Sequence, residues 1–126
     1  VRYHSNEEPK MTAVCHCSHC QKQTGTAFSV LVCVRADSIH YYEQASLAEY
    51  TDSGESGAAV HRHFCNHCGS PILSLADSMP GMAFIKAGTL DDISWLKPTA
   101  HVWCSSAQPW VDIPTDAVQF PRGSQG

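Results

Sequence analysis

Three cysteines fall within six residues at Cys15-His16-Cys17-Ser18-His19-Cys20, and two more follow at Cys65-Asn66-His67-Cys68-Gly69 after a gap of 44 residues. A turn carrying Cys-x-x-Cys directs two sulfurs at one point about 2.3 Å from a zinc ion, and two such turns complete a tetrahedron. Five thiols in two such knuckles are a strong metal signal, with zinc the expected ion. Unbound core cysteines have apolar neighbours, whereas these sit among His, Ser, Asn and Gly. Disulfide pairing belongs to secreted chains, and Val1-Arg2-Tyr3-His4 lacks the charged start and apolar run of a secretory signal.

Spacing leaves two coordination schemes open. Cys17, Cys20, Cys65 and Cys68 would make one closed, structural site. Cys15, Cys17 and Cys20 would instead fill three positions and leave the fourth for an exchangeable water or thiol, whose pKa the metal lowers. Cys33 shares a strand face with Leu31, and Cys104 stands alone after Val102-Trp103, so both read as packing residues. His16, His19 and His67 lie inside the knuckles as exposed residues or hydrogen-bond donors to sulfur, His61 and His63 read as a surface pair, and His101 is ambiguous. Trp95, Trp103 and Trp110 are expected in the core or in a pocket wall.

The elements that must hold these residues are short. Phe28–Val34, Ile39–Tyr42, Leu47–Thr51, Val60–Phe64, Pro71–Leu75, Met82–Lys86 and Ala100–Trp103 are apolar, β-branched or alternating runs separated by Asp, Ser and Gly. The pattern predicts about seven strands with antiparallel connections, and single helical turns at Gln21–Gln23 and Asp91–Trp95. An all-β domain spanning residues 1–126 follows, with a frayed tail over 119–126. A chain of 126 residues, 43% apolar, supplies one modest core. Eight Lys and Arg against twelve Asp and Glu give a net charge of −4, which disfavours a nucleic-acid partner. The apolar runs are too short to span a membrane, so a cytoplasmic protein is expected. Oligomeric state is not legible.

The motifs resemble those of the glutathione-dependent formaldehyde-activating enzymes, whose β-tent fold is shared with a non-enzymatic chaperone of Rab GTPases. The resemblance is carried by Cys15–Cys20 with Thr24-Gly25-Thr26-Ala27-Phe28, by Phe64-Cys65-Asn66-His67-Cys68-Gly69-Ser70, by Ala87-Gly88-Thr89-Leu90-Asp91-Asp92, and by His101 and Trp110. It implies that Cys15, Cys17 and Cys20 hold an open, catalytic zinc. It also implies that Cys65 and Cys68 are half of a structural zinc site, shared with an N-terminal Cys-x-Cys-Gly-Ala motif. That motif would directly precede Val1, so an N-terminally truncated domain is expected, with a rearranged site of four of the five sulfurs as the competing expectation.

The resemblance implies carbon–sulfur lyase-like chemistry, the formation of S-hydroxymethylglutathione from formaldehyde and glutathione. A small thiol, glutathione in the family, would be the partner. Arg35, Arg62, Lys86 or backbone N–H groups would receive its carboxylates. The alternative is a non-enzymatic structural-zinc module that binds a protein partner.

Overall fold

Alternation along the strands divides the apolar residues between two sheet faces, and the computed structural model, which describes residues 1–42 and 46–123, shows what each face covers. The strands are β1 (Tyr3–Ser5), β2 (Met11–Cys15), β3 (Ser29–Arg35), β4 (Ile39–Tyr41), β5 (Leu47–Ser53), β6 (Ala59–Cys65), β7 (Pro71–Ala76), β8 (Met82–Lys86), β9 (Ala100–Val102) and β10 (Val118–Gln119), with one α-helix, α1 (Ser18–Thr24). Eight of them form one sheet in the order β10-β9-β2-β3-β8-β7-β6-β5, and β1 pairs with β4 as a separate ribbon.

From β2 to β5 across the sheet every pairing is antiparallel. Strand β9 departs from the expected antiparallel plan. It runs parallel to β2, with Ala13 opposite Ala100 and Cys15 opposite Val102, and parallel to β10 on its other side. Residues 87–99 before β9 and 103–117 after it are long enough to carry the chain back to the same end, which a hairpin cannot do.

On one face Val32 and Val34 of β3, Leu73 of β7, and Ala83 and Ile85 of β8 are all at most 2% exposed. Tyr3, Ile39 and Tyr41 of the β1–β4 ribbon pack over this cluster and close the main core. On the other face Leu31, Ser74 and Lys86, each next in sequence to a core residue, line a cavity instead. The sheet therefore has a packed side and a working side.

All seven expected strands form, within one or two residues of the expected bounds. Strand β2 lacks apolar alternation, and β1 and β10 have only three and two residues, too few for a periodic signal. The expected turn of helix at Asp91–Trp95 is a tight turn instead. The Asp92 side chain accepts from the Ser94 N–H at 2.9 Å, competing with helical hydrogen bonding. Residues of the tail after Gln119 make backbone hydrogen bonds to the segment around β9. Phe120 N–H donates to the His101 carbonyl at 2.9 Å, and Trp103 N–H to that of Arg122 at 2.9 Å; residues 124–126 lie outside the described residues. Among the described residues no helix is long and apolar enough to cross a membrane.

Candidate functional site

Strand β2 delivers Cys15 to the working face, and α1 begins three residues later, earlier than the expected turn after Cys20. Cys17 is the N-cap residue, and its sulfur accepts the Cys20 N–H at 3.2 Å. Gly25 ends the helix at φ 69°, a left-handed conformation that a side chain resists, and its N–H reaches the Gln21 carbonyl. The Gln21 side chain donates to the carbonyls of His16 and Ser106 at 2.7 and 3.0 Å, which ties the cysteine turn to the segment after β9.

These contacts place the sulfurs of Cys15, Cys17 and Cys20 within 4.8 Å of one another, each residue at most 7% exposed. Three sulfurs each 2.3 Å from a tetrahedral zinc lie about 3.8 Å apart, so small side-chain shifts suffice to close on an ion. Three soft donors, buried together, fit a zinc-like metal. Without an ion the three thiols cannot share a site fully ionised. Hydrogen bonds from Cys15 and Cys17, and then the positive charges of Lys86 and Arg62, push the Cys20 thiol down against its burial. Hydrogen bonding to Cys17 and Cys20, and burial, push Cys15 far up.

The other knuckle is separate. Among the described residues the metal-competent group is Cys15, Cys17 and Cys20, and it contains neither Cys65 nor Cys68. Cys65 is buried at the end of β6, whereas Cys68 is exposed, with its sulfur 3.2 Å from Ser70 Oγ. Two sulfurs alone do not make a four-ligand centre.

The triad opens into a cavity of about 360 Å³ on the working face, with Leu31, Phe84, Val102 and Trp103 among its walls. Two cations are buried in it. Arg62 is 4% exposed and holds Asp52 through Nε at 3.0 Å. Lys86 is 7% exposed, with Nζ 2.8 Å from Ser29 Oγ, and burial lowers its pKa. Glu55, from the β5–β6 hairpin, accepts the Ser18 N–H at 2.6 Å and the Ser106 hydroxyl at 3.0 Å. Those bonds, the Ser18 N–H foremost, hold its carboxyl below the usual range. Arg122, also in the cavity lining, lies 4.7 Å above the Trp103 ring. Trp103 itself sits at φ 57°, a left-handed conformation costing a bulky residue on the order of 1 kcal/mol.

Of the three cationic side chains expected to receive carboxylates, Arg62 and Lys86 reach the cavity and Arg35 does not; Arg35 pairs with Asp37 at the surface. His16 and His101 stack as a buried pair, Nε2 to Nδ1 at 2.9 Å, with both pKa values lowered by burial. His67 is exposed, and His19 lies 3.5 Å from Asp52. His61 and His63 bind Glu49, and His61 also binds Asp77. Trp103 is a pocket wall as expected, but Trp95 and Trp110 are 50% and 73% exposed, because the loops that carry them leave the sheet. Ser29, Ser74 and Glu55 were not singled out by spacing. For Ser74 the available signal was a lone hydroxyl inside the apolar run Pro71-Ile72-Leu73-Ser74-Leu75.

A family model described as glutathione-dependent formaldehyde-activating enzyme matches residues 1–106. A protein of Aspergillus flavus named "Putative glutathione-dependent formaldehyde-activating enzyme" is 29% identical over 95 residues, which cover 73% of this chain and 48% of that protein. A protein of Aspergillus oryzae with the same name matches equally. The chain thus spans about half the length of these curated relatives. A crystal structure of a Rhodobacter sphaeroides protein shares the fold, with a TM-score of 0.55 at 16% identity over 72% of this chain and 78% of that one. With the cysteine triad, its cavity and the all-β sheet in place, the match over residues 1–106 is decisive: the chain belongs to the glutathione-dependent formaldehyde-activating enzyme family.

Proposed function

We propose that the protein joins a small thiol to an electrophilic carbon at a zinc site held by Cys15, Cys17 and Cys20, forming S-hydroxymethylglutathione from glutathione and formaldehyde. The reverse reaction is that of a carbon–sulfur lyase. The observation that carries this reading is the convergence of three buried sulfurs on the floor of a cavity. Zinc, when bound there, supplies a Lewis-acidic fourth position at which a thiol is held as thiolate near neutral pH.

The chain's own residues supply the remainder. Leu31, Phe84 and Val102 line the cavity with apolar surface that limits water around the reacting sulfur. Lys86 and Arg62 favour negative charge there. Arg122, stacked on Trp103, offers a further guanidinium in the cavity lining to a carboxylate of a peptide thiol. The sulfur lone pair forms the carbon–sulfur bond, the carbonyl π pair moves to oxygen, and that oxygen takes a proton from solvent. Proximity of the two reactants is the main source of acceleration.

Elemental analysis of protein purified without added metal, combined with magnetic-resonance exchange measurements on carbon-13 formaldehyde and glutathione, tests the proposal. On the order of one triad zinc per chain and a protein-dependent acceleration of adduct exchange are expected. A metal-free protein with freely titratable triad thiols, or exchange at the uncatalysed rate, refutes it.

A further inference from the structure

Lys86 is a buried cation for which no carboxylate partner occurs among the described residues. Its ammonium has three N–H donors, and Ser29 Oγ receives one at 2.8 Å. Arg62, the other buried cation of the cavity, is already matched with Asp52. The Ser74 hydroxyl is buried without a hydrogen-bond partner. Ser74 stands opposite Phe84 in the β7–β8 pairing, and Lys86 is two residues beyond Phe84, so Ser74 and Lys86 are diagonal neighbours on one face. Both line the cavity that holds the cysteine triad.

Three thiolates around a divalent ion leave one negative charge, which could balance Lys86 electrically. Among the described residues no sulfur of the triad lies within hydrogen-bond reach of Lys86 Nζ or Ser74 Oγ, however, so these N–H and O–H donors stay unfilled. Buried donors of this kind are stable when an acceptor completes them. A charged oxygen is the acceptor that satisfies both the donors and the cation.

We propose that Lys86 and Ser74 form an oxyanion-binding subsite beside the triad, receiving either the carboxylate of the thiol ligand or the aldehyde oxygen as it becomes an alkoxide. Only the second source rests on the thiol-addition reading above. In that case the negative charge moves from sulfur to oxygen as the carbon–sulfur bond forms, solvent protonates the oxygen, and Lys86 stays beside the charge throughout.

Acetate, titrated into the zinc-loaded protein with a nitrogen-15 backbone, probes the subsite with no thiol present. Saturable shifts at the amides of Ser74, Phe84 and Lys86 are expected, retained in Lys86→Arg, weakened in Ser74→Ala and lost in Lys86→Met. No saturable shift in the wild type, or an unchanged one in Lys86→Met, overturns the proposal. If Lys86→Met fails to fold, Ser74→Ala and the wild-type titration still decide.

The source of the oxygen is read on cobalt-substituted protein through the thiolate-to-metal charge-transfer band. If 3-mercaptopropionate binds about tenfold tighter than mercaptoethanol, and Lys86→Met removes the difference, the carboxylate is the occupant. If the two bind equally and Lys86→Met slows adduct formation by roughly 10²–10³-fold, the alkoxide is. Equal binding with an unchanged rate overturns the proposal. Absence of any thiolate band in the wild type, with the acetate shifts intact, refutes thiol addition and leaves the subsite standing.

Discussion

Replacing Cys20 by Ser separates a metal-holding triad from three cysteines that merely pack together. The Cys20 sulfur lies within 4.8 Å of those of Cys15 and Cys17, on α1 and away from the core cluster around Leu73 and Ile85. Zinc binding in small structural sites contributes about 10–16 kcal/mol over four ligands, so one ligand accounts for about 3 kcal/mol. That corresponds to about 10²-fold in affinity. Competition with a chromophoric chelator should therefore show the Cys20→Ser protein holding its triad zinc about 10²-fold more weakly, while the main core, on the opposite sheet face, keeps the chain folded by circular dichroism. Cys68→Ser is the control. Cys68 is exposed and outside the triad, so this variant should retain the wild-type triad affinity. Equal affinity in Cys20→Ser and the wild type, or an equal loss in Cys68→Ser, would refute the separation of the two knuckles.

Arg62→Met strands Asp52, whose side chain is 21% exposed, and should lower urea stability by roughly 3 kcal/mol, with part of the loss recovered by adding Asp52→Asn. Gly25→Ala should cost on the order of 1 kcal/mol in the same assay, because an added Cβ meets open space but must sit at φ 69°. His61 should titrate above the ordinary imidazole value, since the hydrogen bonds it donates to Asp77 and then to Glu49 favour its charged form. The associated stability is complete below the unfolded pKa and fades as pH rises through the folded one. Proton resonance of the imidazole in Asp77→Asn should show the midpoint fall, and an unchanged midpoint would dissociate His61 from Asp77.

Much of the working face was legible before its geometry, for identifiable reasons. Met82–Lys86 and Pro71–Leu75 announce strands by composition, and Cys15, Cys17 and Cys20 are spaced too closely to be scattered packing residues. Local sequence carries that kind of information. The parallel placement of β9 against β2 was not local. It depends on two long connections and on which edge of the sheet remains open, neither of which leaves a mark in Ala100-His101-Val102.

The polar half of the cavity was legible only in part: Arg62 and Lys86 stood among the candidates for a carboxylate, but nothing along the chain joined them to each other, to Ser74 or to the triad. Lys86 reads along the chain as the charged end of a strand, Ser74 as an interruption in an apolar run, and Arg62 as one member of a His-Arg-His alternation. Each strand states only that its residue faces opposite to its neighbours. Register then puts Arg62 across from Ser74, Ser74 across from Phe84, and Lys86 across from Leu31, so residues scattered over β6, β7 and β8 become neighbours on the face that carries Cys15. A one-residue slip of β7 would turn Ser74 into the packed core and Leu73 into the cavity, leaving a buried hydroxyl on one side and an apolar floor on the other. The burial of Leu73 at 2% holds that register in place. The packing on one face therefore determines the chemistry available on the other.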